Sequence, residues 1–104
     1  MIIAIYDTDF DPMQIELFNS YSEYYARTFS PGVYVHMAID TDKTPHGKTY
    51  NDKKNALRDT AINFYNLFPM FDISYLEFVT ATNYFEKYAR RYGLITEFTE
   101  NAII

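Results

Sequence analysis

The sequence predicts an α+β fold in which a small sheet is packed by three helices. Three observations support this class: two short runs of β-branched and aromatic residues, long segments with apolar residues at helical spacing, and proline or glycine between them. A chain of 104 residues has room for one hydrophobic core. We therefore expect residues 1–104 to form a single domain.

Two strands are predicted, at residues 2–6 and 33–39. The first, IIAIY, is too short for a helix and is typical of a strand buried on both faces, and the second has the same β-branched and aromatic character. A helix between them makes a β-α-β unit, which predicts a parallel pair joined by a right-handed crossover. Because two strands make a marginal sheet, a third is expected from the tail at residues 94–98 or from a partner chain.

The first predicted helix covers residues 12–28. Asp11 is a favourable N-cap, and Pro12 suits the first helical position. Apolar and aromatic residues recur at helical spacing after Pro12, and the sequence Ser-Pro-Gly ends the segment. The polar residues 40–50 are then expected to form a loop.

The second and third helices are predicted at residues 51–68 and 75–92. Pro69 ends the first of these two. Ser74, with glutamate three residues later, forms a capping-box pattern that begins the other, and Gly93 follows its last turn. The tail after Gly93 is compatible with one short helical turn or with an edge strand.

Charge is distributed unevenly along the chain, whose net charge is −5. Residues 1–42 hold seven acidic residues and one basic residue, a net charge of −6, whereas residues 43–60 hold five basic and two acidic residues, a net charge of +3. A nucleic-acid-binding protein needs a clustered basic face, so direct nucleic-acid binding is not expected. The acidic half instead fits a protein partner with a basic surface, or simply a well-solvated surface.

Aromatic residues make up 19% of the chain, with eleven Tyr and nine Phe. Tyrosine suits surfaces that are both apolar and wet, and is therefore enriched at protein interfaces. There is no cysteine, no apolar run long enough to span a membrane and no signal-peptide pattern. We expect no membrane association and a cytoplasmic location.

Two stretches end alike: MIIAIYDTD places Asp7 and Asp9 after the first strand, and VYVHMAIDTD places Asp40 and Asp42 after the second. If the strands are parallel neighbours, both endings lie at the carboxyl edge of the sheet, where ligands of open α/β sheets bind. The alternative is that these polar residues only satisfy free amides where strands end.

A metal-dependent nuclease or phosphodiesterase is one alternative for this edge. Asp7, Asp9, Asp40 and Asp42 are the candidate ligands for Mg²⁺ or Mn²⁺ in such an enzyme, because hard cations prefer carboxylate oxygens. The two histidines of the chain, at positions 36 and 46, are candidates for further ligands or a general base.

A binding protein rather than an enzyme is the function that we expect from these patterns. Rows of carboxylates imitate DNA phosphates, so the expected protein is a small inhibitor or modulator of a nucleic-acid-processing host protein, of the phage or mobile-element kind, as in anti-CRISPR or anti-restriction proteins. A homo-oligomeric regulatory or structural protein, for example a homodimer, is a further alternative. The expected partner-binding residues are Asp7, Asp9, Glu16, Glu23, Tyr24, Asp40 and Asp42.

Overall fold

The computed structural model describes residues 1–104 and contains three strands and four α-helices. The strands are β1 (Ile2–Thr8), β2 (Gln14–Phe18) and β3 (Val33–Asp40). The helices are α1 (Tyr21–Thr28), α2 (Tyr50–Leu67), α3 (Tyr75–Tyr92) and α4 (Ile95–Glu100), and a 3₁₀ turn (Phe68–Met70) follows α2. The predicted α+β class is confirmed. None of the helices combines the length and the apolar character needed to cross a membrane.

All strands of the sheet are antiparallel, in the order β2-β1-β3, so the prediction of a parallel pair is wrong. Ile5 of β1 lies opposite Ile15 of β2 on one side and Met37 of β3 on the other. A tight connection reverses the chain after β1, and β3 returns on the other edge of β1 in the direction of β2. The third strand comes from residues 14–18 and not from the tail.

The predicted helix at residues 12–28 is wrong in its first half, which forms β2. Ile15 and Leu17 pack against the larger core, while Glu16 between them faces the other side, as in a strand. The helix begins only after Ser20, whose hydroxyl accepts a hydrogen bond from the Glu23 amide at 3.2 Å. Asp11 lies in the β1–β2 loop and caps no helix, contrary to the prediction.

The sheet separates two unequal cores. On one face, which we call the helical side, α2, α3 and α4 cover a cluster of 17 buried residues that includes Ile3 and Ile5 of β1. On the other face, which we call the α1 side, the cluster has four buried residues, and Tyr24 and Val33 pack against it. These four are Ile2, Ala4, Tyr6 and Phe18. Because successive residues of β1 point to opposite faces, this strand serves both cores.

The predictions for α2 and α3 are confirmed to within one residue at each end. The Ser74 hydroxyl accepts from the Glu77 amide at 3.2 Å, and the Glu77 carboxylate accepts from the Ser74 amide at 2.9 Å, which completes the expected capping box. Gly93 ends α3 with φ of 72°, a left-handed conformation that glycine adopts without a steric penalty.

The tail forms the short helix α4 and not an edge strand. A bidentate ion pair holds it to α2, with Arg58 Nε 2.8 Å from Glu97 Oε2 and the Arg58 terminal nitrogen 3.1 Å from Oε1. Beyond α4, the Tyr65 hydroxyl donates to the Ile103 carbonyl at 2.9 Å. The tail therefore completes the helical side of the molecule.

A β-bulge interrupts β3. Met37 lies opposite Ile5 of β1 and Val35 lies opposite Tyr6, so His36 is an extra residue with no partner across the pair. The pairing resumes in register with Tyr34 opposite Asp7.

Candidate partner-binding surface

The antiparallel sheet places the two Asp-Thr-Asp endings at opposite ends. Asp7 lies opposite Tyr34 near the start of β3, whereas Asp40 lies opposite Ile2 at the start of β1. These two positions are five steps apart along β1, which corresponds to roughly 17 Å along a strand. The odd spacing also directs the two carboxylates to opposite faces. The expectation that Asp7, Asp9, Asp40 and Asp42 share one edge is therefore wrong.

No group of three or more acidic or histidine side chains lies close enough together to hold a metal ion. Near Asp7, the His36 Nε2 atom lies 3.1 Å from Oδ1, but this oxygen, although shielded from solvent, receives no aligned hydrogen bond. His46 lies in the loop between β3 and α2. The geometry on which the metal-dependent alternative depended is therefore missing.

The second Asp-Thr-Asp ending is occupied by contacts within the chain. Asp40 Oδ2 accepts a 2.6 Å hydrogen bond from the Tyr21 hydroxyl, and Oδ1 accepts from the Asp42 amide at 3.0 Å. Partial burial opposes ionisation of Asp40, but these two hydrogen bonds and the nearby Lys43 together hold its pKa below the ordinary value. Asp42 is exposed and lies 2.8 Å from the Met1 ammonium group.

The first ending forms the tip of the β1–β2 hairpin, where Phe10 stands between Asp9 and Asp11. Phe10 is 97% exposed, more than any other large apolar side chain of the chain. Exposure of a whole phenyl ring to water is unfavourable by about 2 kcal/mol relative to burial. We call Asp9, Phe10 and Asp11 the hairpin tip.

The hairpin tip is fixed by hydrogen bonds to its surroundings. The Thr8 hydroxyl accepts from the Asp11 amide at 2.9 Å and from the Phe10 amide at 3.3 Å. The Asp9 amide donates to the Gly32 carbonyl at 2.9 Å, and the Tyr34 hydroxyl donates to the Asp9 carboxylate at 3.0 Å.

Gly32 makes the close approach to the hairpin tip possible. A Cβ atom at this position would lie 2.5 Å from Asp9 Oδ2, and its φ of 81° is left-handed. The tip is therefore seated against the turn that follows α1, and Phe10 is presented on a fixed loop rather than on a free one.

Three aromatic side chains, two on the exposed face of α1 and the third on its C-cap residue, follow one another at intervals of four residues. The rings of Tyr21 and Tyr25 lie 5.7 Å apart, and those of Tyr25 and Phe29 lie 4.6 Å apart. All three are exposed, Phe29 to 78%. We call them the aromatic row. Tyr24, by contrast, turns inward and packs edge-on against Phe18 at 5.7 Å, so it is mainly a core residue.

Glu16 and Glu23 differ in how their carboxylates are used. Glu16 Oε1 accepts a 2.6 Å hydrogen bond from the Tyr6 hydroxyl and lies 3.7 Å from Arg27 Nε. Burial, with the carboxylate of Glu16 as a second cause, raises the pKa of Tyr6 to about 12. Glu23 accepts from the Asn19 amide at 3.0 Å and so belongs to the start of α1.

Sequence reasoning missed the hairpin tip and the aromatic row. The exposure of Phe10 was not predicted, because Asp11 and Pro12 were expected to begin a helix. The Ser20-x-x-Glu23 pattern is a capping-box signal that places the helix start at Tyr21. With that start, residues 21, 25 and 29 share one helix face.

The chain matches no protein-family model, and no curated protein or solved structure is significantly similar to it.

Proposed function

We propose that the protein acts by binding a partner protein with a basic surface, and that it does so through the α1 side of the molecule. The contact surface consists of the hairpin tip, the aromatic row and the carboxylate of Glu16. The single observation that carries this proposal is the full exposure of Phe10 on a fixed loop between two aspartates. A large aromatic side chain on a backbone that is already ordered is a favourable binding anchor, because little backbone entropy is lost on contact.

The charge of this surface defines the chemistry of the partner. Asp9 and Asp11 flank the anchor, so the best-matched surface is an apolar pocket with lysine or arginine at its rim. Of the other acids that we expected to contact the partner, Asp40 lies on the α1 side, where it accepts a hydrogen bond from Tyr21 of the aromatic row, and Asp42 pairs with the Met1 ammonium group. Asp7 faces the helical side of the sheet and is therefore left out of the proposed surface. Complementary charge of this kind accelerates association and is sensitive to salt.

We further propose that the partner is a nucleic-acid-processing protein, which the chain inhibits or modulates in the cytoplasm. Proteins of that class present basic grooves to phosphates, and a surface of carboxylates interleaved with tyrosines occupies such grooves in place of DNA. The proposed protein is therefore a DNA-mimicking inhibitor of a restriction or CRISPR system, of the kind that phages and mobile elements carry. The charge of residues 1–42, −6 from seven acids and one base, supports this assignment.

Affinity capture with matched variants tests the proposal. The immobilised chain is exposed to bacterial lysate, and Phe10→Ala is compared with Ile62→Ala, which removes an exposed apolar side chain from α2 on the other side of the sheet. We expect a nucleic-acid-handling protein to be captured by the original chain and by the Ile62 variant. The Phe10 variant should lose it, and added double-stranded DNA should displace it.

Two results count against the proposal. Capture that is the same for the Phe10 and Ile62 variants means that the hairpin tip is not the anchor. Recovery of nothing except further copies of the chain supports the homo-oligomer in place of a foreign partner, and analytical ultracentrifugation of the isolated protein then gives its oligomeric state.

A further inference from the structure

A cleft of about 680 Å³ lies between α1 and the sheet, next to the hairpin tip. Its volume is within the range of about 300–1,000 Å³ that is typical of ligand sites. Val33 and Ala26 supply accessible apolar surface in its lining, above the buried rings of Tyr6 and Phe18. Glu16 and Arg27 stand among its polar groups.

Glu16 has one carboxylate oxygen without a protein partner. The Tyr6 hydroxyl donates to Oε1 at 2.6 Å, which fixes the orientation of the carboxylate. Arg27 Nε also lies nearest to Oε1, at 3.7 Å, a distance longer than a hydrogen bond. No group of the chain donates to Oε2. The cleft therefore combines a buried tyrosine that positions an acceptor with a second acceptor atom that is free.

The charge balance of the cleft favours a cation. Asp11, Glu16 and Glu23 line it against Arg27 as the one cationic side chain, so its formal charge is −2. A planar guanidinium presents paired N–H donors that match a carboxylate, and the aliphatic stem of an arginine packs on apolar side chains such as Val33. A compact ammonium ion matches only the charge.

We propose that this cleft receives an arginine side chain of the partner protein, with its guanidinium bound to Glu16. The inference depends on the proposed function, because it names the group on the basic partner that enters the α1 side. Arg27, which approaches the same carboxylate, competes with the incoming guanidinium. Val33 and Ala26 pack against the stem of the arginine.

The test uses the isolated protein and two small molecules, N-acetyl-arginine N-methylamide and its neutral citrulline isostere. Amide chemical shifts are followed by NMR in 150 mM salt. We expect saturable shifts at the amides of Glu16, Phe18 and Arg27 with roughly millimolar affinity for the arginine compound, which has about sixteen heavy atoms. The citrulline compound should produce none.

Two variants with opposite expected effects sharpen the test. Glu16→Gln keeps an oxygen that accepts from Tyr6 but removes the charge, and should weaken arginine-amide binding by about tenfold, the effect of one charge-assisted hydrogen bond. Arg27→Ala removes the competing cation and should tighten binding. Glu86→Gln on α3, whose carboxylate pairs with Arg90 at 2.7 Å, is the matched control and should change nothing.

Equal shifts with the citrulline compound, shifts spread over acidic residues outside the cleft, or the same affinity in the Glu16 and Glu86 variants would each overturn the inference. If Glu16→Gln fails to fold, weaker binding of the arginine compound by Arg27→Ala would overturn the inference instead. The outcome is separate from that of the proposed function, because no partner is needed. Capture that depends on Phe10 without arginine-amide binding overturns the cleft site alone. Arginine-amide binding without a captured partner counts against the proposed function alone.

Discussion

The two sides of the sheet differ in how much apolar surface they bury and how much they leave exposed. On the helical side, three helices cover a cluster of 17 buried residues, and the bidentate Arg58–Glu97 pair closes it. On the α1 side, one helix of eight residues covers four buried residues and leaves its aromatic row in water. Burial of apolar surface is the main stabilising term in folding, so the helical side supplies most of the stability. The α1 side keeps its aromatic side chains available for contact with another molecule.

The largest expected effect on stability is that of truncating a buried side chain on the helical side. Phe64 is fully buried, and its ring lies 5.5 Å from that of Phe85. We expect Phe64→Ala to lower the free energy of unfolding by about 4 kcal/mol, because it leaves a cavity in a well-packed core. Urea denaturation measures the change. The exposed neighbour variant Ile62→Ala should stay within about 0.5 kcal/mol of the original, and a loss of less than half the expected value for Phe64→Ala would contradict the difference between the two sides.

A smaller effect is expected from the same truncation on the α1 side. Phe18 is buried against Tyr24, but only four buried residues form this cluster, so the surroundings can collapse into the space. We expect Phe18→Ala to lower the free energy of unfolding by about 3 kcal/mol and to raise amide hydrogen exchange in α1 while α2 and α3 keep their protection. Uniform loss of protection along the chain would show that the two cores unfold as one unit.

Acidification is expected to weaken the ion pair that closes the helical side. The Arg58 guanidinium, by hydrogen bonding, holds the pKa of Glu97 below its ordinary value of 4.5. Since the folded pKa is the lower one, the stabilisation is fully present above about pH 4.5 and is lost as pH falls through the folded pKa. Both side chains are partly exposed, so we expect Glu97→Gln to remove at most about 1 kcal/mol at pH 7 and to flatten the decline of stability below pH 4.5.

A double-mutant cycle is the control for this ion pair. Arg58→Gln should reproduce the loss seen in Glu97→Gln, and the double variant should lose little more than either single variant. Melting temperatures between pH 3 and pH 7 give the comparison. Additive losses would mean that the two residues act separately.

The smallest effect on stability is expected at the most exposed side chain. Phe10 contacts no core, so Phe10→Ala should change the free energy of unfolding by less than about 0.5 kcal/mol. Thermal denaturation measures this, and partner capture by the same variant should nevertheless be lost. A substantial loss of stability would place Phe10 in the fold and remove the reason to treat it as an anchor.

The helical side was predictable because its signals are local and agree with one another. In α2, Leu57, Ala61 and Phe64 recur at helical spacing and are all buried. In α3, Ser74 and Gly93 mark the two ends by their own side-chain and backbone chemistry. Such signals need no knowledge of the rest of the chain, since each one acts within a few residues.

The α1 side was predicted poorly because its signals conflict. Pro12 after Asp11 suits a helix start as well as a hairpin loop, and only tertiary pairing with β1 decides between them. The short segment around Ile15 has too few residues for its alternation to outweigh the aromatic spacing that follows. Because β2 was missed, the predicted direction of β3 was wrong. The predicted placement of the aspartates at one sheet edge was therefore wrong as well.

The bulge at His36 has a consequence for how the molecule avoids aggregation. The outer edge of β3 has no neighbouring strand, and Tyr34 and Val35 are exposed there, so a regular edge of this kind would serve as a template for strands of other chains. The extra residue divides the edge into two short segments and adds local twist, so that no long flat strand can add to it. Deleting His36 would restore a continuous edge strand. Strands of other folded copies would then add to this edge and form fibril-like stacks.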